Sequence, residues 1–179
     1  MQAFAGLLVL DADGLNRLAR RCRAVLGSDS SGGSASVDGA AGWLRQRGGP
    51  TWITPHAAEF ARLFPGLQEL EPLDAALEAA RSSGASVLLK GARTVVAAAD
   101  GRCWQLLAAA PQAARAGLGD VLAGYAAGRG AQAQSTASAD GSLLAAVALA
   151  HAQAGLACLE RLGPGGISPQ AVAAELRQF

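Results

Sequence analysis

Cysteines, aromatic residues and net charge are all scarce in this chain of 179 residues, and each scarcity removes a class of function. Cys22, Cys103 and Cys158 are odd in number and far apart. That suits neither a disulfide framework nor a closed zinc site, and it points to a reducing, cytoplasmic compartment. Fifteen basic and fourteen acidic side chains leave a formal net charge of +1, and aromatics make up only 4% of the residues. Such a chain offers neither a field to hold nucleic acid or an anionic membrane nor many platforms for stacking bases, so no nucleic-acid partner is expected. A basic leader is missing as well. The apolar opening, residues 1–10, is followed at once by Asp11 and Asp13, so a buried strand explains it better than a signal peptide. Residues 143–159 form the longest apolar segment, alanine-rich and interrupted by His151 and Gln153. It is short for a membrane span and reads as a core helix, with no membrane partner expected.

What the chain does have is apolar bulk, at 51% of its residues, enough for one domain with a real core. Residues 7–10 are a continuous apolar run ending in Asp-Ala-Asp, the pattern of a parallel strand buried on both faces. Leu15, Leu18, Ala19, Cys22, Val25 and Leu26 then repeat at helical spacing, while Arg17, Arg20, Arg21 and Arg23 form a solvated face. Residues 27–42 are a flexible Gly/Ser/Ala loop, followed by a helical turn at 43–47 and a strand at 51–54 that Pro55 stops. Short helices are expected around 59–64 and from Pro72 to just before Gly84, then a strand at 87–89. Residues 94–107 read as a hairpin around Asp100-Gly101, with both turn residues at positive φ in a tight type I′ turn. A loop at 108–116 leads to a helix over 120–128, a polar linker over 131–141 and a long helix over 142–162. In the last helix Ser168 caps and Pro169 takes the first turn. Strands alternating with helices indicate a layered α/β domain with a mainly parallel sheet.

Residues 116–124, Ala-Gly-Leu-Gly-Asp-Val-Leu-Ala-Gly, join a glycine turn to a helix. Gly117 and Gly119 leave main-chain N–H groups open to an anion, Leu118 lies between them, and the helix adds a partial positive charge. Asp120 is then placed to accept a proton from a hydroxyl attacking a phosphoryl group; the plainer reading makes it the N-cap of the helix. In α/β folds sites gather beyond the carboxyl ends of strands, and Asp13, His56, Lys90 and Asp120 all fall there. Each has a duller role on its own, as cap, packed histidine or solvated strand end.

Four ordered motifs, Asp11-Ala-Asp-Gly-Leu-Asn16, Thr54-Pro-His-Ala-Ala-Glu-Phe-Ala-Arg-Leu63, Leu88-Leu-Lys-Gly-Ala92 with Thr94, and Gly117-Leu-Gly-Asp-Val-Leu-Ala-Gly124, carry a family resemblance. They resemble the ADP-dependent NAD(P)H-hydrate dehydratases of the ribokinase-like superfamily, over residue 7 to about His151. The resemblance implies a ribokinase-like layered sheet with flanking helices, as a partial domain over 1–179 that lacks the family's N-terminal strands. It implies a lyase that repairs hydrated NADH or NADPH: a nucleotide, ADP or ATP with Mg²⁺, phosphorylates the hydrate's hydroxyl, and phosphate is then eliminated. Carried over by position, His56 and Asp120 would contact the hydrated cofactor, with Asp13 and Asn16 nearby. Lys90, Gly91, Ala92, Arg93, Thr94 and Gly119 would bind the adenine nucleotide, and Asp120 would be the base.

The same comparison marks departures from the family pattern. Ala116 and Leu118 stand where a glycine and a small hydroxyl residue are expected, so that Leu118 crowds the anion's space unless its side chain turns away. Ala57-Ala58 replace Pro-Gly, and 106–111 lack the family's Asn-x-Thr-Gly-Asn pattern. Residues 7–10, mid-sheet in the family, would form an open edge here, to be covered by a second copy or by another chain that completes the sheet. Two alternatives remain open: a small-metabolite kinase of the same fold, and a non-catalytic remnant.

Overall fold

A computed structural model of the chain describes residues 3–26, 39–107, 115–133 and 140–179. In order they form β1 (Leu8–Leu10), α1 (Ala12–Leu26), α2 (Ala40–Arg45), β2 (Thr51–Ile53), α3 (Ala57–Leu63), α4 (Pro72–Ser83), β3 (Ser86–Leu89), β4 (Val95–Ala97), β5 (Cys103–Gln105), α5 (Leu118–Gln132), α6 (Gly141–Leu162) and α7 (Pro169–Glu175). The sheet runs β1-β2-β3-β4-β5, with β1, β2 and β3 parallel and β4 and β5 each antiparallel to its predecessor.

Alternation along each strand divides the core in two. Ile53, Val87, Val95 and Ala97 face one side, where Leu15, Leu44, Phe60 and Ala76 of α1 to α4 cover them. Trp52, Leu88 and Val96 face the other, under Leu122 and Ala126 of α5 and Leu144, Val147 and Ala148 of α6. Helices on both faces are what parallel strands with continuous apolar runs require. Trp52, Ile53, Val87, Leu88, Val95 and Val96 are fully buried, and each aliphatic one among them stabilises the fold by roughly 1.5–3 kcal/mol. The apolar face of α6 is used within this fold: Leu144 and Val147 meet the sheet, while Ala154 and Cys158 meet Val172 of α7.

Local differences from the sequence reading have identifiable causes. α1 starts at Ala12, directly after β1, with Ala12 itself at φ +44. α2 takes up residues 40–42, the end of the expected loop, whose residues 27–38 lie outside the described residues. α5 starts at Leu118 and continues through Gly128 and Gly130. At Gly130 any side chain would strike Leu7 and crowd Trp52, so close packing of helix on sheet holds the glycine there. The hairpin is not closed by a type I′ turn. Ala98 accepts from Gly101 N–H and donates to Arg102 O, and only Gly101 has a positive φ, +91. That is a three-residue loop with the glycine in the left-handed position. On the outer side of the sheet, β1 pairs with β2 alone among the described residues, and Leu8 and Val9 stay half-buried.

Candidate functional site

The carboxyl ends of β1, β2 and β3 are stitched level with one another. Thr54 N–H donates to Leu10 O, Lys90 N–H donates to Pro55 O at 2.8 Å, and His56 and Lys90 form a parallel bridge one step beyond the strands. Asp11, His56 and Lys90 therefore emerge side by side, where α/β sheets present ligand sites.

Lys90 Nζ lies 2.7 Å from Asp11 Oδ1, in an ion pair whose side chains are 23% and 10% exposed. Both point at the start of α5. A Cβ built on Gly119 would sit 3.4 Å from Lys90 Nζ and 3.6 Å from Asp11 Oδ2. The strand-end lysine and the glycine turn, 29 positions apart in sequence, thus meet in space as the motifs suggested.

α5 opens without a side-chain cap. Its N-cap is Gly117 at φ +87, a left-handed value that suits glycine, packed against Pro169 of α7. Leu118 N–H turns back to Arg115 O, and the N–H groups of Gly119 and Asp120 have no partner among the described residues. Asp120 is therefore three residues past the N-cap, which removes the plainer reading that it is itself the cap. It is exposed, and its carboxylate has no partner among the described residues. The concern over Leu118 is also resolved: its side chain packs with Val121 and Tyr125 against Ala150, Ala154 and Val172, away from the turn's open side. His151 of α6 lies behind the turn beside the Leu118 main chain, with its Nε2 buried and without a hydrogen-bond partner among the described residues. Burial pushes the His151 imidazole below its ordinary value, and the neighbouring Leu118 main chain opposes the shift.

His56 starts α3 in the opposite manner. Its Nδ1 accepts from Ala58 N–H at 3.1 Å and from Glu59 N–H at 3.4 Å, while Glu59 Oε2 accepts from His56 N–H, a complete capping box. The capping role expected as the duller reading is real. It leaves Nε2 as the outward nitrogen of a ring that is 53% exposed, 3.5 Å from Glu59 Oε1.

The remaining expected residues are distributed as follows. Gly91, Ala92 and Arg93 form the exposed turn after Lys90, closed by Thr94 Oγ1 donating to Gly91 O at 3.2 Å. Asn16 Oδ1 accepts from Arg62 of α3 at 2.9 Å, one side of the strand ends. Asp13 is exposed in the first turn of α1, so Asp11, not Asp13, is the acid at the end of β1. Asp11 is not among the site residues expected from the sequence. Two usable signals were that Asp11 directly follows the last strand residue and that Lys90 is the only lysine in the chain. Among the described residues no group of three or more His, Cys, Asp or Glu could hold a metal ion unaided. A cleft of about 280 Å³ lined by Trp52, Ser86, Arg102 and Asp140 lies at the amino ends of β2 and β3, the opposite edge of the sheet.

Comparison with known proteins identifies the family. The family described as NAD(P)H-hydrate dehydratase matches residues 1–178. The chain belongs to this dehydratase family. It is 46% identical over 120 residues to the bifunctional NAD(P)H-hydrate repair enzyme Nnr of Gloeobacter violaceus, covering 67% of this chain and 20% of that protein. It is 38% identical over 166 residues to Nnr of Synechocystis, covering 93% of this chain and 28% of that protein. The chain thus spans less than a third of these curated relatives. Among solved structures it resembles the ADP/ATP-dependent NAD(P)H-hydrate dehydratase of Bacillus subtilis co-crystallised with ATP and Mg²⁺ and soaked with CoA. The TM-score there is 0.64 at 25% identity, over 74% of this chain and 48% of that one. A Streptococcus mutans protein aligns over 99% of this chain and 56% of its own at TM-score 0.70 and 20% identity, a likeness of fold alone. The ribokinase-like layered α/β fold of the dehydratase family is the fold of this chain.

Proposed function

We propose that this chain carries out the nucleotide-dependent dehydration of hydrated NADH or NADPH. The hydrate's hydroxyl is phosphorylated by ADP or ATP, and phosphate is then eliminated to restore the dihydropyridine ring. The observation that carries this reading is the convergence of Lys90, the bare Gly119 and the uncapped first turn of α5, with the unpartnered Asp120 beside them.

The chemistry follows from those groups. Phosphoryl transfer is catalysed mainly by positioning and by neutralising charge. The Lys90 ammonium and the N–H groups of Gly119 and Asp120 meet the phosphoryl oxygens, in a turn whose dipole favours negative charge. Asp120 takes the proton from the attacking hydroxyl. His56 Nε2, on a half-exposed ring turned outward by its own cap and beside Glu59 Oε1, would bind the hydrated ring, and the 91–94 turn, with Arg93 exposed, would flank the nucleotide. Asn16 and Asp13 border the same edge. Mg²⁺ fits such a site only as an ion brought by the nucleotide, because it needs one or two carboxylates besides phosphate oxygens and water. Bound there, it would neutralise phosphate charge.

The outer edge of β1, unpaired among the described residues, would take a further strand to complete the sheet. A cytoplasmic location follows from the reducing environment that the three free cysteines favour.

Incubating the chain with hydrated NADH, ADP and Mg²⁺ while following the absorbance of the reduced nicotinamide tests the reading. Recovery of absorbance is expected. Accumulation of a phosphate ester without recovery would identify a kinase instead, and no change at high protein concentration would leave a non-catalytic relative.

A further inference from the structure

Lys90 is the only lysine among 179 residues; the other 14 of the 15 basic side chains are arginines. Lysine is a compact charge on a flexible four-carbon stem, and at a strand end it would ordinarily sweep a wide volume. Here it does not. Its ammonium donates at 2.7 Å to Asp11 Oδ1, and Asp11 is itself only 10% exposed. An ammonium has three donors, so this bond leaves two for other acceptors. The Asp11 carboxylate is held in turn: it follows β1 directly, its main-chain oxygen accepts from Gly14 N–H, and the next residue, Ala12, sits at φ +44. Positive φ is costly for a residue with a side chain, and such strain collects where a neighbouring group must be placed.

We propose that Asp11 is a positioning residue: it fixes the Lys90 ammonium across the open first turn of α5, so that the charge is in place before a phosphate arrives. The proposal rests on the nucleotide reading given above. It has an unusual sign, which makes it testable. A carboxylate beside an anion site repels the anion, so if Asp11 were a bystander, removing it would tighten phosphate binding. If it positions Lys90, removal loosens binding, because the ammonium must then be ordered at the moment of binding.

Asp11→Ala and Asp11→Asn would be compared with the wild-type chain, melting curves first establishing that each folds. One lysine gives one set of ¹³C-labelled lysine side-chain resonances. In the wild type the two Hε protons are expected to be inequivalent, as in a restrained side chain, and in Asp11→Ala to collapse toward one averaged signal. Titration with Mg·ADP, and separately with inorganic phosphate, should show affinity falling about tenfold in Asp11→Ala. Asp11→Asn keeps an acceptor oxygen and should lie between, and it serves alone if the alanine variant does not fold. Unchanged lysine resonances, or a variant that binds either ligand as tightly as the wild type or more so, would overturn the proposal and leave the nucleotide reading standing. A wild-type chain that binds neither ligand would overturn both.

Discussion

α3 and α5 both begin at the carboxyl edge of the sheet, yet they begin in opposite ways. α3 is closed by its own side chains: His56 and Glu59 satisfy its first N–H groups reciprocally. α5 has a bare glycine at its cap, no side-chain acceptor, and a second glycine, Gly119, whose Cα side lies against the Lys90–Asp11 pair. α6 and α7 follow the α3 pattern, with Asp140 accepting from Ser142 and Leu143 and Ser168 accepting from Ala171. α2 and α4 also begin without a side-chain acceptor, so a bare cap alone does not single out α5. What sets α5 apart is the Lys90 ammonium beside the bare Gly119 of its first turn, where the helix dipole and open donors favour an anion.

The largest expected effect lies at α5. Asp120→Asn keeps shape and removes the base, and the rate of hydrated-NADH dehydration should fall by at least about 10²-fold. An unchanged rate would return Asp120 to an ordinary first-turn acid. Next comes the turn itself: Gly117→Ala forces a side chain to φ +87 and toward Pro169. It should lower the unfolding free energy by about 1–2 kcal/mol or more in urea melts. Gly124 of the same helix, whose added Cβ would meet nothing within 4 Å, provides the contrast. There Gly→Ala should stabilise by about 0.5–1 kcal/mol. At α3, His56→Ala removes a cap and should cost about 1 kcal/mol of stability; no loss would mean the capping box is decorative.

The smallest effect concerns acid. Burial lowers the His151 imidazole in the folded chain, so the unfolded chain binds the proton more readily. The stability tied to this group is therefore present above the ordinary value, 6.5, and is lost as pH falls below it. Melts on either side of that pH should show a steeper acid loss in the wild type than in His151→Gln. Parallel curves would show that His151 contributes no such pH dependence.

Much of this was legible in the sequence. Parallel strands announce themselves as short apolar runs with polar ends, which is why β1, β2 and β3 are legible, with Asp13, His56 and Lys90 expected at their carboxyl ends and Asp120 after the hairpin. Helix starts were readable where a capping residue preceded proline, as at Ser168-Pro169. What failed to show was decided by tertiary contact or by single dihedral angles. Asp11 and Asp13 differ by two positions, and it is where β1 ends and α1 begins, with Ala12 at φ +44 between them, that leaves Asp11 beside Lys90. The run of α5 through Gly130 depends on Leu7 and Trp52, distant in sequence. The hairpin turned on whether one or two residues take positive φ, which Asp-Gly alone does not determine. Leu118 looked like an obstruction because a sequence does not say which way a turn residue points.

The central claim is that the open start of α5 with Lys90 is a phosphate site, and Gly119→Val addresses it most directly. A side chain there would begin 3.4 Å from Lys90 Nζ and 3.6 Å from Asp11 Oδ2, filling the space assigned to the anion. Calorimetric titration of Mg·ADP into the wild-type and Gly119→Val chains should show binding in the first and a loss of at least about tenfold in the second. Equal affinity in both would place the nucleotide elsewhere and contradict the account.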